Sequence, residues 1–276
     1  MAERALTRTQ VVLRQQERQR YLFGVKVVVW WFIILGLLVF FFSGTTINLG
    51  PITINTIQLD TQFMQTWAPF ISRGVPITLF IAFVSIIGAS ILALLSALGR
   101  LSGIAPLVAL SGFYVSLIRG TPLYLQIFFF FLALPQIGIR LPGAVAGILA
   151  LSLNYGAYMS EIFRAGIDSV SKGQREAAIA LGMTNGQLMR RIVLPQALRL
   201  VVPPTGNEFI AMLKDSALVS ATGFVQEIMW RSVKVGRANF RGLEALVIAA
   251  MWYWLMTIIF TALQARLERH MSRGER

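Results

Sequence analysis

What most limits the folds open to this chain is the recurrence of apolar runs about twenty residues long, each the length of helix that crosses a bilayer. They fall at residues 23–42, 75–98, 106–134, 142–163, 200–221 and 243–263. Short blocks of arginine and lysine separate them. Of 276 residues 56% are hydrophobic and only 13% charged, about half the charged share of an ordinary soluble domain. The expected fold is therefore all-α, a polytopic membrane protein with six transmembrane helices.

The first run is not a cleavable signal. The basic stretch before it, with Arg4, Arg8, Arg14, Arg18 and Arg20, is too long, and so is the apolar core. Small residues at a cleavage spacing are also missing after it. It is expected as a retained span. The formal net charge of +13 could point to nucleic acid, but the basic residues sit in blocks between apolar runs, where they set topology. The expected surrounding is a lipid bilayer and not nucleic acid. With both termini in the cytoplasm, 17 Lys and Arg fall on cytoplasmic segments and six on external ones, as the positive-inside rule asks. Arg119 and Lys214 remain at membrane depth. One external segment disagrees, since Arg231, Lys234, Arg237 and Arg241 make the last loop basic. Either those charges serve a partner or the loop is partly buried.

The chain divides into a basic cytoplasmic segment (1–26), a first span with its external loop (27–73), a helical membrane domain (74–267) and a basic cytoplasmic tail (268–276). The polar loop at 45–73 suits short strands, or a surface helix around 63–70. The third apolar run is too long for one simple crossing and is broken at Arg119-Gly120-Thr121-Pro122. Proline favours the first turn of a helix, so a kink or restart is expected there. Arg73-Gly74-Val75-Pro76 repeats that wording at another helix start.

Several chemistries are excluded by absence. There is no cysteine and one histidine, His270, so no thiolate or histidine metal site is expected. No GxxxxGK[ST] loop and no GxSxG elbow occur, so ATP hydrolysis is not expected of this chain, and neither is other enzymatic activity. Energy for any transport must come from a partner or an ion gradient.

Polar groups inside spans are expensive and usually face a cavity or one another. Three clusters qualify. Arg119 and Thr121 sit at the broken third span. Asn154, Tyr158 and Glu161 recur at helical spacing along the fourth, beside Tyr155 and Arg164. Asn207, Glu208, Lys214, Asp215 and Ser216 lie on the fifth. Blander readings stand beside these. Glu161 and Arg164 also suit an i,i+3 ion pair, and Lys214 and Asp215 suit pairing with neighbouring chains that only satisfies burial. The aromatic run 128–131 reads as lipid or packing surface. A zwitterion taken out of water needs an anion for its amine and donors for its carboxylate. Glu161, Asn154, Tyr158, Arg119 and Thr121 read as a substrate-binding or translocation path. For the amino-acid substrate implied by the resemblance described below, Glu161 is the candidate for the amine, with Asn154 and Tyr158 as polar support, and Arg119 for the carboxylate. Lys214, Asp215 and Ser216, with Asn207 and Glu208, read as a gate or subunit contact.

Residues 171–204 form a polar, basic island. Ser171 with Gln174, and Thr184 with Gln187, match the capping-box pattern. Gly182 is placed to end the first helix in the left-handed conformation, and Pro195 to end or kink the second. Ala177 and Ala178 leave a flat helix face for another protein. An amphipathic hairpin binding lipid through its arginines is the alternative.

The wording Glu176-Ala177-Ala178, three residues, Gly182, nine residues, Ile192, one residue, Leu194-Pro195 resembles the EAA loop of ABC-importer membrane subunits. KGQREAA and LPQALR resemble the polar amino-acid branch, the histidine/glutamine permease type. RGTPL at 119–123 and NEFIxxLKDS at 207–216 agree, and the resemblance covers about 74–267. It implies a five-helix permease core and a cytoplasmic coupling helix carrying Arg175, Glu176, Ala177, Ala178, Gly182 and Met183. It also implies docking on an ATPase dimer that binds ATP and magnesium in place of this chain. A second permease subunit and an extracytoplasmic amino-acid-binding protein complete the implied assembly, in the bacterial plasma (inner) membrane. A secondary transporter, needing no ATPase, also fits a broken helix with buried charge.

Overall fold

The computed structural model describes residues 8–272. The first seven residues of the basic N-terminal segment, Arg4 among them, and the last four of the tail lie outside the described residues. Contacts divide the chain into two compact units, Met1–Thr61 and Gln62–Arg276.

In the first unit, helix α1 (Arg8–Phe41) carries the first apolar run, and the large apolar side chains at 21–41 are exposed. A hairpin of β1 (Thr46–Leu49) and β2 (Ile52–Asn55) follows, closed beyond its open end by Thr56, whose hydroxyl donates to Thr45 O at 3.0 Å.

The second unit opens with α2 (Thr61–Ser72), so the polar loop holds both the strands and the surface helix anticipated for it. Its remaining helices are α3 (Val75–Leu101), α4 (Ala105–Arg119), α5 (Leu123–Leu132), α6 (Gly143–Asp168), α7 (Lys172–Ala180), α8 (Asn185–Leu188), α9 (Leu194–Asp215), α10 (Ile228–Ala238) and α11 (Gly242–Ser272). α3 and α6 form its centre. Ala82, Ser85, Ala89, Ala93 and Ala97 recur every three or four residues on α3 and are fully buried, against Ala146, Ala150 and Ala157 on α6. Small residues let membrane helices approach until their backbones nearly touch. At Gly156 the approach leaves no room, because a Cβ there would stand 2.8 Å from Tyr114 Oη and 2.9 Å from Leu92 Cβ. Ser152 Oγ donates across the same seam to Ser85 O at 3.2 Å.

Three apolar clusters surround this pair. One joins α3, α5, α6 and α9 around Ile81, Leu151, Met159 and Met212. A second packs Phe63 and Ile71 of α2 against Ile228, Ala245 and Ala249. The third lies under the 171–199 loop and includes Ala97, Ile167, Ala178 and Val193.

Among the described residues, Gln16–Phe41, Val75–Leu101 and Gly242–Met271 are long and apolar enough to cross a membrane. α4 with the segment Leu123–Ile137 adds a fourth if that pair, bent by 104°, is one broken span. The break falls at residues 120–122, where Pro122 precedes the first turn of α5, so the third apolar run restarts as its proline required. The expected fourth and fifth spans, α6 and α9, fall short on apolarity. α6 is the most enclosed helix, with Ser152, Asn154, Tyr155 and Ser160 buried among its alanines and glycines. A helix walled by protein does not need a lipid-like surface.

Pro195 neither ends nor visibly breaks its helix. The five residues Met189–Val193 form a π-helical turn and α9 begins at Leu194 with Pro195 in its first turn. The wider turn comes just before the position where proline lacks an N–H to donate, so the chain runs on from α8 into α9.

Candidate functional site

The restart at 120–122 creates the first wall of a cavity of about 550 Å³. Three elements supply its polar groups: Arg119 and Thr121 from the α4–α5 elbow, Asn154, Tyr155 and Tyr158 from α6, and Glu208 and Asp215 from α9. Asn154 and Tyr158 are four residues apart and so lie one above the other on α6, while Glu208 and Asp215 are seven apart and share a face of α9.

Buried Gln126 knits the elbow together. Its amide donates to Ile118 O at 2.8 Å, Thr121 O at 3.1 Å and Thr121 Oγ1 at 2.9 Å. These bonds add to the capping of the helix break, where Ile118 O also accepts from Thr121 N at 3.5 Å. Its own carbonyl accepts from Asn154 Nδ2 at 3.2 Å, which ties the elbow to α6. The Arg119 guanidinium lies 5.0 Å from the centre of the Tyr158 ring, a cation–π contact. Tyr155 donates to Asp215 Oδ2 at 2.8 Å, joining α6 to α9. The cavity thus holds one fixed cation and two carboxylates, one of them anchored by a phenol.

Arg119, Thr121, Asn154 and Tyr158 come together as anticipated. Glu161 does not join them. It follows Tyr158 by three residues, toward the C-terminal end of α6, where it bonds Arg100 of α3 with one oxygen and Arg164 with the other at 3.1 Å. Arg164 continues to Asp168 at 3.1 Å. With both oxygens engaged, Glu161 is an ion-pair member and lies outside the cavity. The expected gate group also divides. Glu208 and Asp215 line the cavity, and Ser216 donates back to Leu213 O at 2.8 Å inside the core. Lys214 and Asn207 are exposed on the outside of α9, so Lys214 is not the partner of Asp215. Buried Gln126, behind the cavity wall, is the residue absent from the candidate clusters, and Tyr155, named there only beside Asn154, is the one that bonds Asp215. The signal for Gln126 was a single amide inside LYLQIFFFFL, with no hydrophobic reason to be there.

The 171–199 loop is built as its caps dictate. Ser171 Oγ accepts from Gln174 N, and Thr184 and Gln187 form a complete reciprocal box. Gly182 takes φ +80°, Met183 N–H donates to Ala178 O at 3.1 Å and Gly182 N–H to Ile179 O at 2.9 Å. Those two bonds are a Schellman end, which a side chain at Gly182 would strain. The flat face needs correction: Ala178 turns inward at 2% exposure, while Ala177 and Glu176 are exposed beside Ile179 and Leu181, the last at 80%. Met183 packs partly inward against the same cluster as Ala178. Arg175 also faces inward. Its guanidinium donates to Val170 O at 3.2 Å and to Ile167 O, capping the end of α6.

The basic 231–241 segment is partly buried. α10 inserts Ile228, Ser232 and Val235 into the core. Its start is fixed by fully buried Glu227, which accepts from Met229 N at 2.8 Å, Trp230 N at 2.5 Å and Tyr253 Oη at 2.8 Å. Burial pushes this carboxyl up to about 7, although its three donors and the Arg231 charge pull the other way.

Residues 89–273 match the family model for the binding-protein-dependent transport system inner membrane component. The chain is 40% identical to the arginine transport system permease protein ArtQ of Bacillus subtilis, over 79% of this chain and all of that one. It is 34% identical to the glutamine transport system permease protein GlnP of Escherichia coli K12, over 78% of this chain and 99% of that one. Among solved structures, an amino acid ABC transporter with histidines aligns with TM-score 0.71 and 37% identity, covering 78% of this chain and all of that one. A chain of the methionine transporter MetNI aligns with TM-score 0.60 at 21% identity, a likeness of fold. With a polar cavity framed by small-residue helices and a capped loop on the same scaffold, this chain belongs to the family of inner membrane components of binding-protein-dependent transport systems.

Proposed function

We propose that this chain is the permease subunit of an ABC importer for a polar amino acid, and that the cavity between the elbow, α6 and α9 is where the amino acid passes. The carrying observation is its charge inventory, Arg119 against Glu208 and Asp215. Arg119 suits the substrate carboxylate, as charge-assisted bonds are the strong ones in a dry site. Glu208 and Asp215 take the amine, the role first given to Glu161. With one fixed cation and two carboxylates, a substrate of net charge +1 leaves the cavity neutral. A basic amino acid is therefore favoured over a neutral one, and an acidic one is disfavoured. The arginine transport named for the Bacillus subtilis relative agrees.

ATP and magnesium are handled by a separate ATPase dimer, which docks on the exposed Glu176–Ala177–Ile179–Leu181 side of α7. Lys214, exposed outside α9, serves the contact with a second permease subunit. An extracytoplasmic binding protein delivers the substrate. Both termini lie in the cytoplasm of the bacterial cell, with the 223–241 segment outside.

The test is uptake by the assembled importer in proteoliposomes. L-arginine should be taken up in preference to L-glutamine, and L-glutamate least. Asp215→Asn and Glu208→Gln should each weaken the apparent affinity for L-arginine about tenfold or more, the worth of one charge-assisted bond. Unaltered affinity in both variants, or a preference for L-glutamate, would remove the cavity from substrate recognition.

A further inference from the structure

The four basic residues of the 231–241 segment do not share one fate. The Arg231 guanidinium donates to Gln226 O at 2.8 Å and Phe70 O at 3.4 Å, and stacks 4.8 Å from the Phe70 ring. Arg241 pairs with Glu244 at 3.4 Å. Lys234 and Arg237 differ. Neither has a carboxylate partner among the described residues, and they stand three apart on α10, a like-charge spacing that disfavours the helix. Both line one cavity of about 620 Å³, bounded by α5 at Tyr124, the 3-10 turn at Ser220 and α10 at Trp230. Its lining contains no acidic residue.

Two of its walls continue elements that line the inner cavity. Tyr124 follows Leu123, which lines the inner cavity, and Ser220 follows Asp215 by five residues along the turn that continues α9. The aromatic wall is fixed, because Trp230 Nε1 donates to Gly223 O at 2.8 Å. The Lys234 ammonium lies 4.6 Å from the centre of that ring and so is held at the wall. Two exposed cations at one concavity, with no carboxylate beside them, raise the local concentration of anions and bind a carboxylate with charge-assisted bonds.

We propose that the Lys234–Arg237 cavity is an external receiving site for the α-carboxylate of the incoming amino acid. It holds the molecule with its carboxylate outward and its amine toward Asp215. The inner cavity then meets the cationic end first, and the two sites act in series. This rests on the transport reading given above, and the experiment separates the two.

The chain contains no cysteine, so a thiol introduced into it is the one site on this chain that a maleimide can label, read on the separated subunit. Ser220→Cys places it in the receiving cavity of the assembled importer, to be alkylated by a neutral maleimide. L-arginine should slow labelling, and agmatine, which keeps the guanidinium but has no carboxylate, should not. Adding Arg237→Gln should raise the L-arginine concentration needed for protection about tenfold, the loss of one charge-assisted bond. Arg237→Lys should recover most of it. Equal protection by agmatine would overturn the proposal, because the carboxylate would not be what is read. Protection only by the binding protein added without amino acid would also overturn it, assigning the cavity to a protein carboxylate. No protection, while Asp215-dependent L-arginine uptake persists, would sink the receiving site and leave the transport reading intact. Uptake that ignores both Asp215 and Glu208 would sink the transport reading instead.

Discussion

Two basic loops of this chain, residues 171–199 and 223–241, are built by opposite means. The first is specified by near neighbours. Its caps reach three residues along the chain, its corner is one glycine, and its inward side chains, among them Ala178, Met183, Leu188 and Val193, gather in one cluster beneath it. The second hangs on a distant partner. Glu227 caps α10 with both carboxyl oxygens, and Oε2 also accepts from Tyr253, twenty-six residues away. Thr78 Oγ1 accepts from Ile228 N at 3.4 Å in the same corner, and a Cβ on Gly74 would stand 2.5 Å from that nitrogen. A loop held by local bonds can yield without disturbing the core, whereas one held by a buried carboxylate is bonded into the core.

The sharpest break of this contrast is Glu227→Ala. It leaves two amide donors and a phenol without their acceptor and should cost about 3–5 kcal/mol, read as a large fall in Tm in detergent. A fall no larger than that of an exposed substitution would show the loop does not depend on the buried carboxyl.

Next is pH. The Glu227 carboxyl ordinarily titrates at 4.5 and is raised to about 7 by burial, with Arg231 and Tyr253 as the nearest titratable groups. The folded chain therefore holds this proton more tightly than the unfolded chain does. Its contribution is most favourable below about pH 4.5, is lost as pH rises to about 7, and stays lost above. The span is about 3 kcal/mol. Glu227→Gln should flatten that part of the stability profile, with Tyr253 turning its hydroxyl to accept. A profile unchanged by the substitution would place the titration elsewhere.

In the 171–199 loop the effects should be smaller and local. Gly182→Leu forces a side chain into a φ of +80°, at about 1–2 kcal/mol. Tm should hardly move, while substrate-stimulated ATP hydrolysis by the assembled importer should be lost. Retained stimulation would take the corner out of coupling. Smallest of all, Thr184→Ala removes one half of a capping box, worth about 1 kcal/mol. It should show as faster amide exchange over Asn185–Leu188 and nowhere else.

The same division decides what was legible in the sequence. The restart at Pro122, the glycine corner and the Thr184 box are local rules, and each stands in the structure where the sequence put it. The fold class follows from apolar run length, a property of each run by itself. Helical spacing places Glu161 on the face of Asn154 and Tyr158 and also within reach of Arg164, which it pairs with, but spacing cannot show that Arg100, sixty-one residues earlier, takes its other oxygen. Chain order sets Asp215 beside Lys214, while its bonded partner is Tyr155, sixty residues away. Gln126 and Glu227 were overlooked for the same reason, since each is a single polar residue whose meaning lies in partners on other helices. Charge counting does not separate the four cations of the basic 231–241 segment, because Arg231 and Arg241 bond to neighbouring groups while Lys234 and Arg237 have no carboxylate partner among the described residues.

The Arg175 bond to the end of α6 bears on how such a protein can be rebuilt. A chimaera cut at the ends of the 171–199 loop would separate that guanidinium from the carbonyls of Ile167 and Val170. Backbone carbonyls exist in every helix, but their direction at a helix end depends on where that helix stops. The exchangeable module should therefore begin upstream of Ile167, within α6. Grafts that carry this last turn with the loop should assemble with the donor's ATPase, and grafts cut at Ser171 should assemble poorly.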